Sequence, residues 1–421
     1  MELKTIRKEI GKGVHLNVLK TDKFKTNIIS IYLIRPLDKE EVTKNALLPL
    51  VLNRGTKNYN TSLDIQRKLE DLYGANLSID VSKKGEKHAI RFSIEFIDDK
   101  YTNERNIEET ISLLIEIIIN PILENGKFST KYIQQEKENL KRRIESKIND
   151  KKQYSVDRCI EEMCKDEKFS INRLGYVDDL EKVNADNLYE HYKTVLSTSI
   201  IEIDAVGDIN ITEVEELIKN KFNLERKNIV ELPREEVIKK VEKENVVYED
   251  MEISQGKLIL GYRTNLPYED ELYNAFMIGN EILGGGPNSK LFLNVREKES
   301  LAYYIYSQSF KYKSLMLIVS GIEFENFEKT VDIIKSQVDE VKKGVFTEDD
   351  IENAKNSIIT SIKALTDDSF SLCEYILAQY LTNDDKTIDE FISNIRKVRK
   401  EDIVNAFQNI ELDTTYFLKS K

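Results

Sequence analysis

The chain has 421 residues, with 63 Lys and Arg against 75 Asp and Glu, a net charge of −12, three histidines, three cysteines and no tryptophan. At roughly 100–200 residues per domain this length predicts two to three domains, and 40% hydrophobic against 33% charged residues excludes a wholly disordered chain. The acidic balance argues against general nucleic-acid binding, and three histidines leave little material for a histidine-based metal centre.

In chain order, residues 27–34 are β-rich and stop at Arg35-Pro36. Helices are predicted over 43–53, with Pro49 inside, and over 62–73, with Gly74 as its C-cap. Residues 76–82 and 88–97 alternate with period two around a turn at 83–87, which predicts a hairpin. A helix over 106–119 closes at Asn120-Pro121. A long helix starts near Ser129, with Ile133, Leu140, Ile144 and Ile148 as its buried stripe. Residues 199–208 form a strand ending in Gly207-Asp208, and the charged stretch 223–245, with Pro233, reads as a linker.

The second half repeats the order. A strand at 257–263 is followed by a helix over 269–283, the loop Gly284-Gly-Gly-Pro287 and a helix to Glu299. Strands at 301–310 and 314–322 precede long helices at 324–343 and 347–366. Hairpins with separate helices predict an α+β architecture: two similar α+β sandwich domains, each a mixed, mainly antiparallel sheet covered by helices. The expected division is 1–222, a linker at 223–245, and 246–421. No run approaches the roughly 20 apolar residues of a membrane span. Residues 1–9 have no apolar signal core, and three cysteines show no framework spacing, so a cytoplasmic location is expected.

The stretch from Gly284 to Tyr303, GGGPNSKLFLNVREKESLAY, resembles the second domain of the pitrilysin/insulinase metallopeptidase family, whose pattern is a Gly-rich turn, S-x-L-F, then L-R-E-x-x-G-L-A-Y. Here Val295 replaces Leu and Ser300 replaces Gly. Asn53-Arg-Gly-Thr56 resembles the family's F-K-G-T, and Val206-Gly-Asp208 its V-G-D. Arg35-Pro-Leu-Asp38, Leu47 to Thr56 and Leu301 to Ser307 are similar to a non-catalytic Gram-positive branch named for association with elongation-factor-P aminopentanol modification. The resemblance implies two homologous domains facing each other across a cavity.

The zinc motif is where the sequence departs. The family's H-x-x-E-H puts two histidines on one helix face to hold zinc, with the glutamate as general base. Alignment on residues 53–56 places those positions at Ala46, Pro49 and Leu50, none of which ligates metal or takes a proton. The third ligand position falls at Arg143, seven residues after Glu136, or at Glu145 in a shifted alignment. The apolar replacements suit a core, and Glu136 is the expected carboxylate partner for Arg143. The catalytic positions are therefore read as vacated, with no metal and no cofactor expected.

By the same resemblance, Arg296 and Tyr303 would reach toward bound peptide, and Gly284, Gly285 and Gly286 would form a lip touching it. A helix C-cap with a turn is the alternative reading of the glycines. Cys159 and Cys164, five apart on a helix, do not converge on a metal. The function expected is a non-catalytic member of a pair, completing the chamber of an active zinc-peptidase paralogue and binding peptide. The alternatives are an autonomous metallopeptidase with an atypical metal site and a homodimeric peptide-binding scaffold.

Overall fold

The fold was analysed in a computed structural model that describes residues 4–421. In the first half, strands β1 (Thr5–Gly11), β2 (Val14–Lys20) and β3 (Thr26–Pro36) lead to helices α1 (Val42–Leu52) and α2 (Ser62–Asp71). The hairpin β4 (Asn76–Lys84) and β5 (Lys87–Ile97) follows, then α3 (Ile107–Ile119), α4 (Thr130–Glu145), α5 (Lys151–Met163), α6 (Val177–Lys182), α7 (Ala185–Thr198), β6 (Ile200–Gly207) and α8 (Ile211–Lys221). The second half holds β7 (Asn245–Asp250), β8 (Gly256–Arg263), α9 (Tyr273–Gly284), β9 (Ala302–Phe310), β10 (Leu315–Ile322), α10 (Phe327–Lys342), α11 (Glu348–Leu365), α12 (Ser369–Thr382), α13 (Ile388–Lys397), α14 (Lys400–Phe407) and β11 (Glu411–Lys419).

The strands form two sheets, β1-β2-β6-β3-β5-β4 and β7-β11-β8-β10-β9. Apart from the added β1, the two orders superpose strand for strand. The parallel pair falls in the same place in each, β2 on β6 and β7 on β11, and every other pairing is antiparallel. The expected mixed, mainly antiparallel α+β architecture, used twice, is the one observed.

Each sheet belongs to a compact unit that is discontinuous in sequence. The first unit contains residues 1–145, 171–233 and 365–385; the second contains 146–170, 234–364 and 386–421. In the first unit, Ile29, Ile31 and Leu33 of β3 face the core built with α1, α3, α4 and α7. The alternate residue Ile28 packs instead with Val206, Leu372, Cys373 and Ile376, that is, with α12. In the second unit, Leu258, Leu260, Met316 and Ile318 face the large helical core. Ile259, Leu315, Leu317 and Val319 face Val156, Cys159, Ile160 and Met163 of α5. A strand covered on both faces reads as a continuous apolar run, which is the character of 27–34.

Charge clusters fix the two crossed-over segments. Behind α5, Glu167 takes ion pairs from Lys313 at 2.6 Å, Arg263 at 2.7 Å and Lys239 at 3.1 Å. Burial works against ionisation of Glu167, but the bonds from Lys313 and Arg263 outweigh it and hold the carboxyl down to about 2. On α12, Glu374 accepts from Lys84 at 2.5 Å and from the Tyr32 hydroxyl at 3.2 Å, and Arg91 lies 4.1 Å over the Phe370 ring.

Several boundaries move. The long helix stops at Glu145, and Ile148 lies in a following tight turn, 41% exposed rather than in the buried stripe. The helix expected from 269 starts at Tyr273, after a turn. Its expected loop residue Gly284 is the last helical one. Residues 62–73 end as helix at Asp71, and Gly74 takes the left-handed conformation that its capping role requires (φ +77°). The segment before β9 is a wide helical turn, Phe292–Lys298, joined to the strand through Ser300 at φ +53°.

Left-handed backbone costs a residue with a Cβ roughly 1–2 kcal/mol, while glycine gives back about 0.4–1 kcal/mol through unfolded-chain entropy. Ser300→Gly is therefore expected to stabilise the protein by about 0.5–1 kcal/mol, measured as a rise in the urea midpoint at unchanged slope.

Candidate functional site

Helix α1 carries Ala46, Pro49 and Leu50, the positions that the sequence resemblance assigns to the zinc motif. Ala46 is 3% exposed, and Leu47, Leu48, Val51 and Leu52 are buried around it. Leu50 is half-buried against the same cluster, and Pro49 is buried inside the helix. Pro49 lacks the N–H that would bond to the carbonyl of Asn45. The face that zinc ligation would need is apolar, so a metal held here would meet no donor. Among the described residues no group of three or more His, Cys, Asp or Glu side chains converges as a metal site. These residues do not fit the zinc ion that the fold family implies.

Helix α4 carries the remaining position. Arg143 is exposed near its C-terminus, as is Glu145. Glu136, the carboxylate expected to partner Arg143, is 6% exposed; it is held by Arg54, which follows α1, and takes a further bond from Asn139 at 3.1 Å. Arg54 lies 5.7 Å over the Tyr132 ring. One turn of α4 separates Glu136 from Asn139 and two separate it from Arg143, so the residue nearer α1 captures the buried carboxylate.

Beside Ala46 lies a polar network that local spacing does not reveal. Asn45, 1% exposed, accepts from the His191 Nε2 at 2.8 Å through its Oδ1 and donates to the His88 Nδ1 at 3.2 Å. His88 Nε2 donates in turn to the Arg173 carbonyl at 3.0 Å. This pattern uses His88 in its neutral form, accepting at Nδ1 and donating at Nε2. Burial pushes both imidazoles down to about 4. The network ties α1 to β5, to α7 and to the loop at 172–176. That loop is fastened again where the Tyr176 N–H donates to Thr43 Oγ1 at 3.1 Å. Gly175 sits there at φ +74°, and a Cβ on it would lie 2.1 Å from Thr43 Oγ1. The sequence separates His88 and His191 by more than a hundred residues, and the only signal for their meeting is a lone asparagine on an apolar helix.

The second-half candidates lie in a different setting. Tyr303 is 77% exposed at the start of β9, an edge strand. The Arg296 guanidinium is 42% exposed, 4.6 Å over the Phe292 ring and 3.8 Å from Glu297. The three glycines split. Gly284 is buried, and a Cβ there would meet Ser307 at 2.5 Å, so it is a packing glycine. Gly285 donates its N–H to the Glu281 carbonyl at 2.9 Å, and Gly286 borders open space. Gly285 and Gly286 also line a cavity of about 160 Å³ with Glu281, Ser289, Asp350 and Ser357.

The family profile described as the Peptidase M16 inactive domain matches residues 182–358. A protein of Bacillus subtilis strain 168 named a probable inactive metalloprotease, YmfF, is 39% identical over 409 residues, covering 97% of this chain and 96% of that protein. A solved structure of a conserved protein from Enterococcus faecalis V583 superposes with a TM-score of 0.90 at 30% identity, over 99% of each chain. The M16 inactive domain structure from Pseudomonas fluorescens shares the fold, with a TM-score of 0.81 at 15% identity over 100% of this chain and 99% of that one. Among the described residues no helix is long and apolar enough to cross a membrane.

The two buried imidazoles generate a pH dependence. Their folded-state values lie below the free value of about 6.5, so the unfolded chain binds more protons between pH 6.5 and 4. Their contribution is complete above about pH 6.5 and is lost as the pH falls toward 4, on the order of a few kcal/mol per group. Urea unfolding from pH 7.5 to 4.5 is expected to show this fall, and the double variant His88→Gln with His191→Gln is expected to flatten it. An unchanged slope in the double variant would remove these residues as its cause.

Proposed function

Because this chain belongs to the M16 peptidase family, on its inactive side, we propose that it is the non-catalytic member of a peptidase pair. It binds peptide and completes the chamber of a zinc-holding paralogue. One observation carries the reading: the two family motifs have opposite surroundings. The α1 positions Ala46 and Pro49 are buried and apolar, whereas Tyr303 stands 77% exposed and Arg296 is held only by its own helical turn. An aromatic that leaves most of its surface in water gains little from packing, which suits it to recognition. An edge strand such as β9 offers unpaired backbone groups to an extended chain, and an exposed guanidinium beside it donates to carbonyls or a carboxylate.

In this reading the chemistry is the paralogue's. Arg296 and Tyr303 orient the peptide by donating to its carbonyl oxygens, and Gly285 and Gly286 leave room for its backbone beside the lip. Removing a positioning contact lowers catalysis without altering the zinc site that performs it. Ala46, Pro49 and Leu50 keep the first domain folded where its relatives spend the same positions on a metal.

Co-expression with an H-x-x-E-H paralogue from the same organism tests the proposal. The expected result is one co-eluting species whose peptidase rate exceeds that of the paralogue alone. Zinc should be found at one equivalent per pair and none on this chain by itself. Arg296→Ala and Tyr303→Ala are each expected to lower the pair's kcat/KM by about tenfold, the cost of one lost contact of about 1–2 kcal/mol, with co-elution unchanged. Two separate peaks and an unaltered paralogue rate would sink the heterodimer. Self-association of this chain alone would point to the homodimeric scaffold.

A further inference from the structure

The chain passes between its two compact units at 145/146, 170/171, 233/234, 364/365 and 385/386. Four of these passages bracket the crossed-over segments 146–170 and 365–385. The passage at 233/234 is the only one in the connection between the halves, and its surroundings differ from the rest of that connection. Up to Val230 the strand is fastened to the first unit. The N–H groups of Lys227 and Val230 donate to the Ser197 and Thr198 carbonyls at 2.9 and 2.8 Å, and Arg226 donates to the carbonyls of Leu196 and Ser199. Farther on it is fastened to the second unit. Val237 is 6% exposed, the Lys239 N–H donates to Asn265 at 2.8 Å, and the Val241 N–H donates to Glu411 at 3.0 Å. Between these anchors Glu231 and Pro233 are exposed and form neither helix nor strand, and Arg234, also exposed, marks the far edge of the joint, paired with Glu269 and 4.4 Å over the Tyr268 ring.

We infer that Glu231–Arg234 is a cleavage-tolerant joint, and that residues 1–232 and 233–421 are obligate partners that stay assembled once it is cut. Exposed irregular backbone between fixed anchors is where proteolytic nicking concentrates. Peptide continuity there is not what joins the halves. The first half supplies α5, whose Val156, Cys159, Ile160 and Met163 are buried against Ile259, Leu315, Leu317 and Val319 of the second half. The second half supplies α12, whose Leu372, Cys373 and Ile376 are buried against Leu19, Ile28 and Val206 of the first.

Neither half can close its own sheet. Residues 233–421 alone would expose the apolar face that α5 covers, and residues 1–232 alone would expose the buried Glu202 and Asp204 beside α12. The two dockings are made by the same pair of fragments, so each holds the other at high effective concentration. The Glu167 cluster and the Glu374–Lys84 pair add partners that are contributed by both halves.

The test uses the full chain with a specific protease recognition sequence inserted between Glu231 and Leu232. After complete cutting, judged on a denaturing gel, the nicked protein is expected to elute at the uncut volume in size exclusion and to separate only in denaturant. Two native peaks would overturn the inference. Limited trypsin treatment of the unmodified chain supplies the second measurement. The first cut is expected at Arg234, with co-eluting fragments, and a first cut elsewhere that leaves 231–234 whole would overturn the assignment of the joint. Gly261→Val separates cause from coincidence. A Cβ at Gly261 would lie 2.8 Å from Met163 Sδ, so the variant loosens α5, and its nicked form is expected to dissociate at a lower urea concentration than the nicked parent.

Discussion

From β3, Ile29, Ile31 and Leu33 point into one core while Ile28 and Tyr32 point away from it to a second layer. The same holds for β8 and β10 in the other unit. A sheet with both faces apolar or buried must be covered twice, and the helices that follow its own strands cover only one side. The second cover comes from far along the chain, α12 for one sheet and α5 for the other. Much of the rest follows from that requirement, including the discontinuous units, the ion clusters at Glu167 and Glu374, and the glycine at 261 that lets a helix approach the strand closely.

The two covers are chemically unlike. Beneath α5 the contact is mainly apolar, with polar bonds at its margins, Arg263 to the Met163 carbonyl at 2.7 Å and Arg158 to Glu249 at 3.1 Å. Beneath α12 the sheet presents Glu202, Asp204, Ser30 and Arg91, all buried. Glu202 is held below the ordinary carboxylate range although burial opposes it, because His15, Arg7 and Asn17 bond to it. Asp204 lies on the same strand, and burial pushes it well above that range. Two carboxyls two residues apart on β6 are thus shifted in opposite directions, and Asn17 donates to both, to Glu202 at 2.9 Å and to Asp204 at 2.8 Å.

Legibility followed the strength of local pattern in part, since the buried strands β2 and β11 and the limits of helix α12 were not assigned from the sequence. The hairpin of β4 and β5, the central strand β3 and the second-half strand pairs carry period-two or continuous apolar signals, and they were read close to their observed limits. β1 was missed because Thr5–Gly11 is mostly exposed and charged, an edge strand with little to bury. β7 was missed for the same reason, its burial alternating only between half-buried and exposed. The amphipathic stripe of α5 shows that it buries a face, but no periodicity says in which core. At the site, the assignment of Ala46, Pro49 and Leu50 to the zinc motif is an expectation from alignment on residues 53–56, and only the apolar character of these residues was legible. The Asn45 network and the Arg54–Glu136 pair were not, because each joins residues from distant segments and depends on which side chain arrives first at a buried partner.

The apolar character of α1 sets a cost on placing metal ligands there. A histidine restored at position 46 alone would bury an imidazole among Leu47, Val51 and their neighbours with no partner, at a cost of about 1–3 kcal/mol, before a second ligand existed to share a cation. A glutamate at 49 would likewise be buried within the apolar helix α1. Each such substitution places one polar group among apolar neighbours before any second ligand is present to share a cation, so ligands at these positions stabilise the helix only when they arrive together with the metal.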